Sequence, residues 1–241
     1  MKNWKRIAVI LVAVMALTCL FSACSYEAFE YKLSDDKSYY TLVGMKTSVV
    51  SEVELPEKYS GKLIKAIGNN AFAGKTNLTS ISLPASVESI NDGAFKGCTN
   101  LKEITLPASV KSIGESAFEG CSSLTKITMG DAVVSIGEGA FYGCTALTSL
   151  TIPSAVTVIP SNAFTDCTSL ATITLGNAVT EIGKKHSQIA YHLLDLPYPQ
   201  AYPSLPKAHF PDVPLLLRSN CRLPLPQFLQ AASKTARALL R

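Results

Sequence analysis

The sequence predicts a repeat solenoid with rungs of 23 residues, and three observations carry that prediction. A phenylalanine preceded by alanine recurs at Phe72, Phe95, Phe118, Phe141 and Phe164. A cysteine keeps the same period at Cys98, Cys121, Cys144 and Cys167. Each unit also holds a short strand-like alternation, as where Ile104 and Leu106 alternate with Glu103 and Thr105. A fixed period of this length marks stacked architectures, in which one rung cannot bury its own apolar side chains but a stack of rungs can.

The unit from Leu101 to Cys121 shows the elements in order. The alternation around Ile104 has the period of 2 expected of a half-buried strand. Pro107 removes a ladder donor and ends that strand. Val110 and Ile113 form a second apolar pair. Ala117 and Phe118 fall in a segment long enough for one helical turn. The residue after Ile113 is glycine in most units (Gly68, Gly114, Gly137, Gly183) but Asn91 and Pro160 in two. Proline fixes φ near −65°, so this position is not left-handed, and a first helical turn suits it. The residue before the cysteine is Gly97, Gly120, Gly143 or Asp166, types that accept φ > 0, so a helix-ending turn is expected there.

The first rung is irregular. Val53-Glu-Leu55-Pro56 reads as a strand end, and Ile67-Gly68 resumes the pattern after an insertion holding Lys58-Tyr59-Ser60-Gly61. An atypical terminal unit is what capping a stack requires. Tyr39 to Val43 supplies a cap strand. Parallel strands lie about 4.7–4.9 Å apart, so six rungs make a stack about 25–30 Å long.

The repeated unit, Leu-x-x-Ile-x-Leu-Pro-x-Ser-Val-x-x-Ile-Gly-x-x-Ala-Phe-x-Gly-Cys, resembles the BspA-like class of bacterial leucine-rich-repeat surface proteins. The match is close over residues 78–183 and looser over 53–77. The resemblance implies a leucine-rich-repeat β-solenoid with parallel strands on one face and short helical turns. It also implies protein binding or adhesion at the cell surface. Ser109-Val110 stands where many leucine-rich repeats place Asn-x-Leu, so an asparagine ladder is not expected.

The amino terminus has the form of a targeting segment. Lys2, Lys5 and Arg6 precede an apolar run from Ile7 to Ala23, which is short for a membrane span of about 20 residues. The run ends Leu20-Phe21-Ser22-Ala23-Cys24 and resembles a bacterial lipobox, with Phe21 where leucine is commonest. That resemblance makes Cys24 the lipidated first residue of the mature protein. Ordinary secretory cleavage and an uncleaved anchor are the alternatives.

The repeat stops after Gly183. The next Ala-Phe pair is due at 186–187, where the chain has His186-Ser187. Residues 184–241 hold 8 of the 13 prolines, all three histidines, and eight Lys/Arg against two Asp. Such a shift usually marks a linker or disordered tail. A second reading uses triplets formed by the third base of each codon and the first two of the next. Lys185 through Ala190 then permits Ala-Phe-x-Asp-Cys, with the phenylalanine 23 residues after Phe164. Pro197 through Tyr202 permits Leu-Pro-x-Ser-Val, and Ala208 through Val213 permits another Ala-Phe-x-Gly-Cys, all in register. The tail therefore reads as repeat translated out of frame, with one base lost near the Lys184-Lys185 codons.

The formal charge of +4 misleads, because the positive excess sits in the leader and tail. Residues 25–183 hold 11 Lys/Arg against 16 Asp/Glu. This is not the basic footprint of a nucleic-acid binder. No histidine lies in those residues, which removes the usual base for serine or cysteine nucleophiles, and no phosphate-binding glycine loop is present. No enzymatic role and no cofactor are expected. The periodic cysteines have three readings, as metal ligands, a disulfide ladder or small buried residues. The absence of any Cys-x-x-Cys clip or histidine partner favours burial and no metal.

One surface stands out. The outward strand positions are Ser80 and Ser82, Glu103 and Thr105, Lys126 and Thr128, Ser149 and Thr151, and Thr172 and Thr174. Stacked, they form a hydroxyl-rich face suited to a protein or glycan ligand. The plainer reading is that threonine suits exposed strands and pairs well with itself across them. Few aromatic residues line the face, which argues against sugar stacking.

These readings divide the chain into a lipoprotein signal peptide (1–23), an anchor segment and cap (24–52), the solenoid (53–183) and the non-repeat tail (184–241). The expected role is a lipid-anchored surface protein mediating protein binding or adhesion. The alternative is a structural spacer displaying a lost downstream domain, enzymatic or wall-binding.

Overall fold

The computed structural model describes residues 28–46 and 50–183. The leader with Cys24 and the tail from Lys184 lie outside the described residues. The first strands form the cap: β1 (Phe29–Leu33), β2 (Tyr40–Met45), β3 (Glu52–Glu54), β4 (Lys58–Tyr59) and β5 (Lys62–Ile67). Each later rung then adds a strand pair: β6 (Ser80–Ser82) with β7 (Ser89–Ile90), β8 (Glu103–Thr105) with β9 (Ser112–Ile113), and β10 (Lys126–Thr128) with β11 (Ser135–Ile136). The last two pairs are β12 (Ser149–Thr151) with β13 (Val158–Ile159), and β14 (Thr172–Thr174) with β15 (Glu181–Ile182).

The rungs stack as two parallel sheets. One runs β3-β6-β8-β10, continued by β12-β14; the other runs β2-β5-β7-β9-β11, continued by β13-β15. Registers step by the repeat period: Thr105 pairs with Thr128, and Ile113 with Ile136. The second apolar pair expected from the sequence is thus a strand of its own, with Ile113 pointing inward and 2 % exposed. At the N-terminal end β1 folds antiparallel onto β2, and β4 forms a hairpin with β5. Ser60 and Gly61 make its two-residue turn, with φ of 47° and 78°, the left-handed pair of a type I′ hairpin.

The third side of each rung holds the Ala-Phe segment. No helix forms there or elsewhere among the described residues, so the expected short helical turn is a run of β-turns instead. Ala94, Lys96 and Cys98 donate back three residues, to the carbonyls of Asn91, Gly93 and Phe95. The amides between them go to the next rung: Gly93 to Glu115 at 2.8 Å, Phe95 to Ala117 at 2.8 Å and Gly97 to Glu119 at 2.7 Å. An α-helix needs every N–H for its own i−4 carbonyl, so this alternation excludes one.

The alternation requires two left-handed residues per rung. One column is Gly74, Gly97, Gly120, Gly143 and Asp166, with φ from 60° to 70°, the position before the cysteine. The other is Asn70, Gly93, Ser116, Gly139 and Asn162, with φ from 53° to 61°. Gly137 has a different role. A Cβ there would lie 2.4 Å from the Glu115 nitrogen and the Gly114 carbonyl carbon, so close rung approach selects glycine rather than a helix start.

The core is a single column. Phe72, Phe95, Phe118, Phe141 and Phe164 are all fully buried. Their rings stack nearly parallel, within 6° and with centroids 5.2–5.6 Å apart. Phe29 of β1 closes the column edge-on, 6.4 Å from Phe72 at 68°. Truncating a buried phenylalanine typically costs about 3–5 kcal/mol, so the rings are the largest single contributors per rung.

Cys98, Cys121, Cys144 and Cys167 are fully buried free thiols. Each donates its S–H to the phenylalanine carbonyl of the preceding rung: Cys98 to Phe72, Cys121 to Phe95, Cys144 to Phe118 and Cys167 to Phe141, at 3.1–3.2 Å. Seryl clips do similar work beside the second strand. Ser86 donates to the Ile64 carbonyl at 2.7 Å, and Ser109 to that of Val87 at 2.5 Å. Later rungs carry Ala132, Ala155 and Ala178 at this position and lack the clip.

Two predictions follow from these columns. Ala132→Ser restores a clip toward Val110 and is expected to raise stability to urea unfolding by about 0.5–1.5 kcal/mol, while Ser109→Ala lowers it by a similar amount; no change in either variant contradicts the clip. Burial pushes the Cys98 and Cys167 thiols up to about 12, and Cys121 and Cys144 upward as well. The unfolded thiol loses its proton first, near 8.5. Their contribution is therefore complete below that pH and is lost as pH rises toward 12. Peptide mapping after iodoacetamide treatment at pH 8 is expected to find these four cysteines unmodified in the native protein and modified in denaturant; labelling in the native state contradicts their burial.

Candidate binding face

The first strand of each rung alternates one buried residue between two exposed ones. Ile81, Ile104, Ile127, Leu150 and Ile173 point into the core, 3–7 % exposed. Their neighbours Ser80 and Ser82, Glu103 and Thr105, Lys126 and Thr128, Ser149 and Thr151, and Thr172 and Thr174 are all exposed. The parallel register sets like positions side by side: Ser80 beside Glu103, Glu103 beside Lys126, and Thr151 beside Thr174. The structure therefore brings the sequence-derived residues together on one face.

β3 adds Glu52 and Glu54 to its N-terminal end, paired with Ser80 and Ser82. The sequence reading omitted them, although the Glu-Val-Glu alternation ahead of Leu55-Pro56 was a visible signal. The face thus grades from acidic at the cap to hydroxyl-only at the far end, with Lys126 as its one cation. An open groove of about 500 Å³ runs beside it, lined by Ser82, Leu83, Ala85, Thr105, Pro107 and Ala108.

Charge is organised by the same period on the other sides. Glu88 bridges Lys65 at 2.8 Å and Lys111 at 2.7 Å, one rung to either side. Hydrogen bonds from Lys111 and Lys65 hold its carboxyl down at about 2. Lys65 also lies over the Tyr39 ring, 5.9 Å from its centroid. Lys96 pairs with Glu119 at 2.9 Å on the turn side. Exposed pairs of this kind contribute little to stability, because solvent screens them. In the β1–β2 turn, hydrogen bonds from Ser34 and Ser38 bring Asp36 down to about 2. These ladders were also missed in the sequence, although Lys65, Glu88 and Lys111 lie 23 residues apart.

The four periodic cysteines are buried away from solvent. A thiol is nucleophilic or metal-binding as its thiolate, and burial holds the four cysteines protonated. Among the described residues no group of three or more His, Cys, Asp or Glu could hold a metal ion. No helix there is long and apolar enough to cross a membrane.

Comparison with known proteins agrees with this architecture. A family model described as the BspA type leucine rich repeat region matches six copies over residues 65–188. Among solved structures, a leucine rich repeat protein of T. pallidum is 26% identical with a TM-score of 0.56, covering 66% of this chain and 84% of its own. A leucine rich cell surface protein of Faecalibacterium prausnitzii is 29% identical with a TM-score of 0.61. That match covers 66% of this chain, which spans half of the F. prausnitzii chain. No curated protein matches the sequence significantly. With its 23-residue rungs, stacked phenylalanine column and repeat match over half its length, the chain belongs to the BspA-type leucine-rich-repeat family.

Proposed function

We propose that the protein is held on the bacterial cell surface by a lipid on Cys24 and binds a partner through the exposed face of its first-strand sheet. The observation that carries this reading is the face itself. It is regular, uncovered among the described residues, and carries short hydroxyl side chains at most of its outward positions. Short hydroxyls lose little rotamer freedom on contact, and a pre-formed sheet needs no rearrangement to bind. The scarcity of aromatic side chains there favours a protein partner over a glycan. The cell-surface name of the F. prausnitzii relative supports the location, and the lipobox-like Leu20 to Cys24 supports the anchor.

The second reading, a spacer that displays a further domain, is favoured by the in-register repeat triplets hidden in the tail. Cells displaying the wild-type chain and a Thr105→Lys, Thr128→Lys, Thr151→Lys variant separate the two. Binding to immobilised host and microbial surface proteins is expected to fall at least about tenfold, or about 1.4 kcal/mol, with melting temperature unchanged. Binding that survives the triple variant overturns the face as the site and leaves the spacer. Cys24→Ser is expected to abolish metabolic labelling by a fatty-acid analogue and release the protein from the envelope; retained labelling overturns the anchor.

A further inference from the structure

We propose that the native protein continues the solenoid beyond Gly183, through rungs encoded one base upstream of the frame that yields residues 184–241. The fold fixes what such rungs must contain. Each needs a phenylalanine for the ring column, a thiol three residues later, and between them a residue that accepts a left-handed φ. Each also needs apolar residues at the Val179 and Ile182 positions, both buried.

In the frame as written these requirements fail. Of the phenylalanine and cysteine positions due at 23-residue steps, Phe210 alone keeps its residue type, and the others hold Ser187, Ala190, Val213, Ser233 and Ala236. Shifted triplets, taking the third base of one codon with the first two of the next, meet them. Phenylalanine is permitted where His186 meets Ser187, where His209 meets Phe210, and where Ala232 meets Ser233. Cysteine is permitted where Ile189 meets Ala190, Asp212 meets Val213, and Thr235 meets Ala236. The position before each cysteine permits Asp, Gly, and Asn or Asp in turn, the types that tolerate the left-handed region.

The strand elements return on the same register. Leu-Pro-x-Ser-Val is permitted across Pro197 to Tyr202 and again across Asn220 to Leu225. Isoleucine follows at the inward position of the second strand where Ser204 meets Leu205 and where Gln227 meets Phe228. The triplet where Leu196 meets Pro197 permits threonine, next in the outward column after Thr174. Codon degeneracy permits each match without requiring it. Three successive rungs that agree at ring, thiol and left-handed positions are nevertheless not a property of an evolved tail. A lost base, or slippage on the adenine-rich codons of Lys184 and Lys185, shifts the frame in the required direction.

The test is mass spectrometry of the protein extracted from its native cells, read against the sequenced gene. Peptides translated from the shifted triplets are expected, with an Ala-Phe-x-Asp-Cys core in the first added rung and Ala-Phe-x-Gly-Cys in the second. Detection of the tryptic peptide His186–Lys207 in the native protein, without shifted-frame peptides, overturns the proposal. Within a positive result, one additional base between the codons of Gly183 and Ser187 identifies a lost base, and an unchanged gene identifies slippage. Neither result depends on whether the exposed face binds a partner.

Discussion

Satisfying the phenylalanine peptide group is the constraint on which the stack depends. A ring fully inside the column carries its own N–H and C=O inside with it, and a buried polar group without a partner costs about 1–3 kcal/mol. The next rung answers both. Phe95 donates to the Ala117 carbonyl, while its own carbonyl accepts the Cys98 amide and the Cys121 thiol. A carbonyl has two lone pairs, so this pattern is saturated. Cysteine fits because a thiol is small enough for the column and still donates. The turn segment is then forced to share its amides between its own turns and its neighbour, and the two left-handed columns follow from that sharing.

This arrangement separates stability from surface chemistry. Each rung meets only its neighbours, so stability accumulates along the stack from repeated local terms. The turn ladder and ring column run unbroken from Phe72 to Phe164. Both β ladders, by contrast, break between the fourth and fifth rungs, with no pairing of β10 to β12 or of β11 to β13. The outward strand positions carry none of this burden. They vary from Glu52 and Glu54 through Lys126 to Thr174 with no matching change in the inward column, as a surface free to be shaped by a partner would.

Much of this was legible in the sequence, because the period exposes the ring and thiol columns and Pro107 marks the end of the first strand. The cap strand was also visible in the Tyr39 to Val43 run. What stayed hidden has physical causes. The second strand is only two residues long in the regular rungs, too short for a period of 2 to be recognised. The left-handed column at Asn70, Gly93, Ser116, Gly139 and Asn162 was obscured because serine at 116 does not advertise φ > 0. The helical turn was expected because the Ala-Phe segment is long enough for one, and segment length cannot reveal that alternate amides are taken by another rung. Burial of the cysteines could be inferred; their role as donors required the position of the phenylalanine carbonyls. On the candidate face, the alternation identified the outward residues, but the acidic start at Glu52 and Glu54 was lost to the irregular first rung.

Residue-resolved hydrogen exchange tests the central claim most directly. If the phenylalanine peptide group ties rung to rung, the amides of Phe72, Phe95, Phe118 and Phe141 exchange among the slowest in the protein, through global unfolding alone. Exchange of these four amides on the timescale of exposed turn amides contradicts the inter-rung ladder and the account built on it.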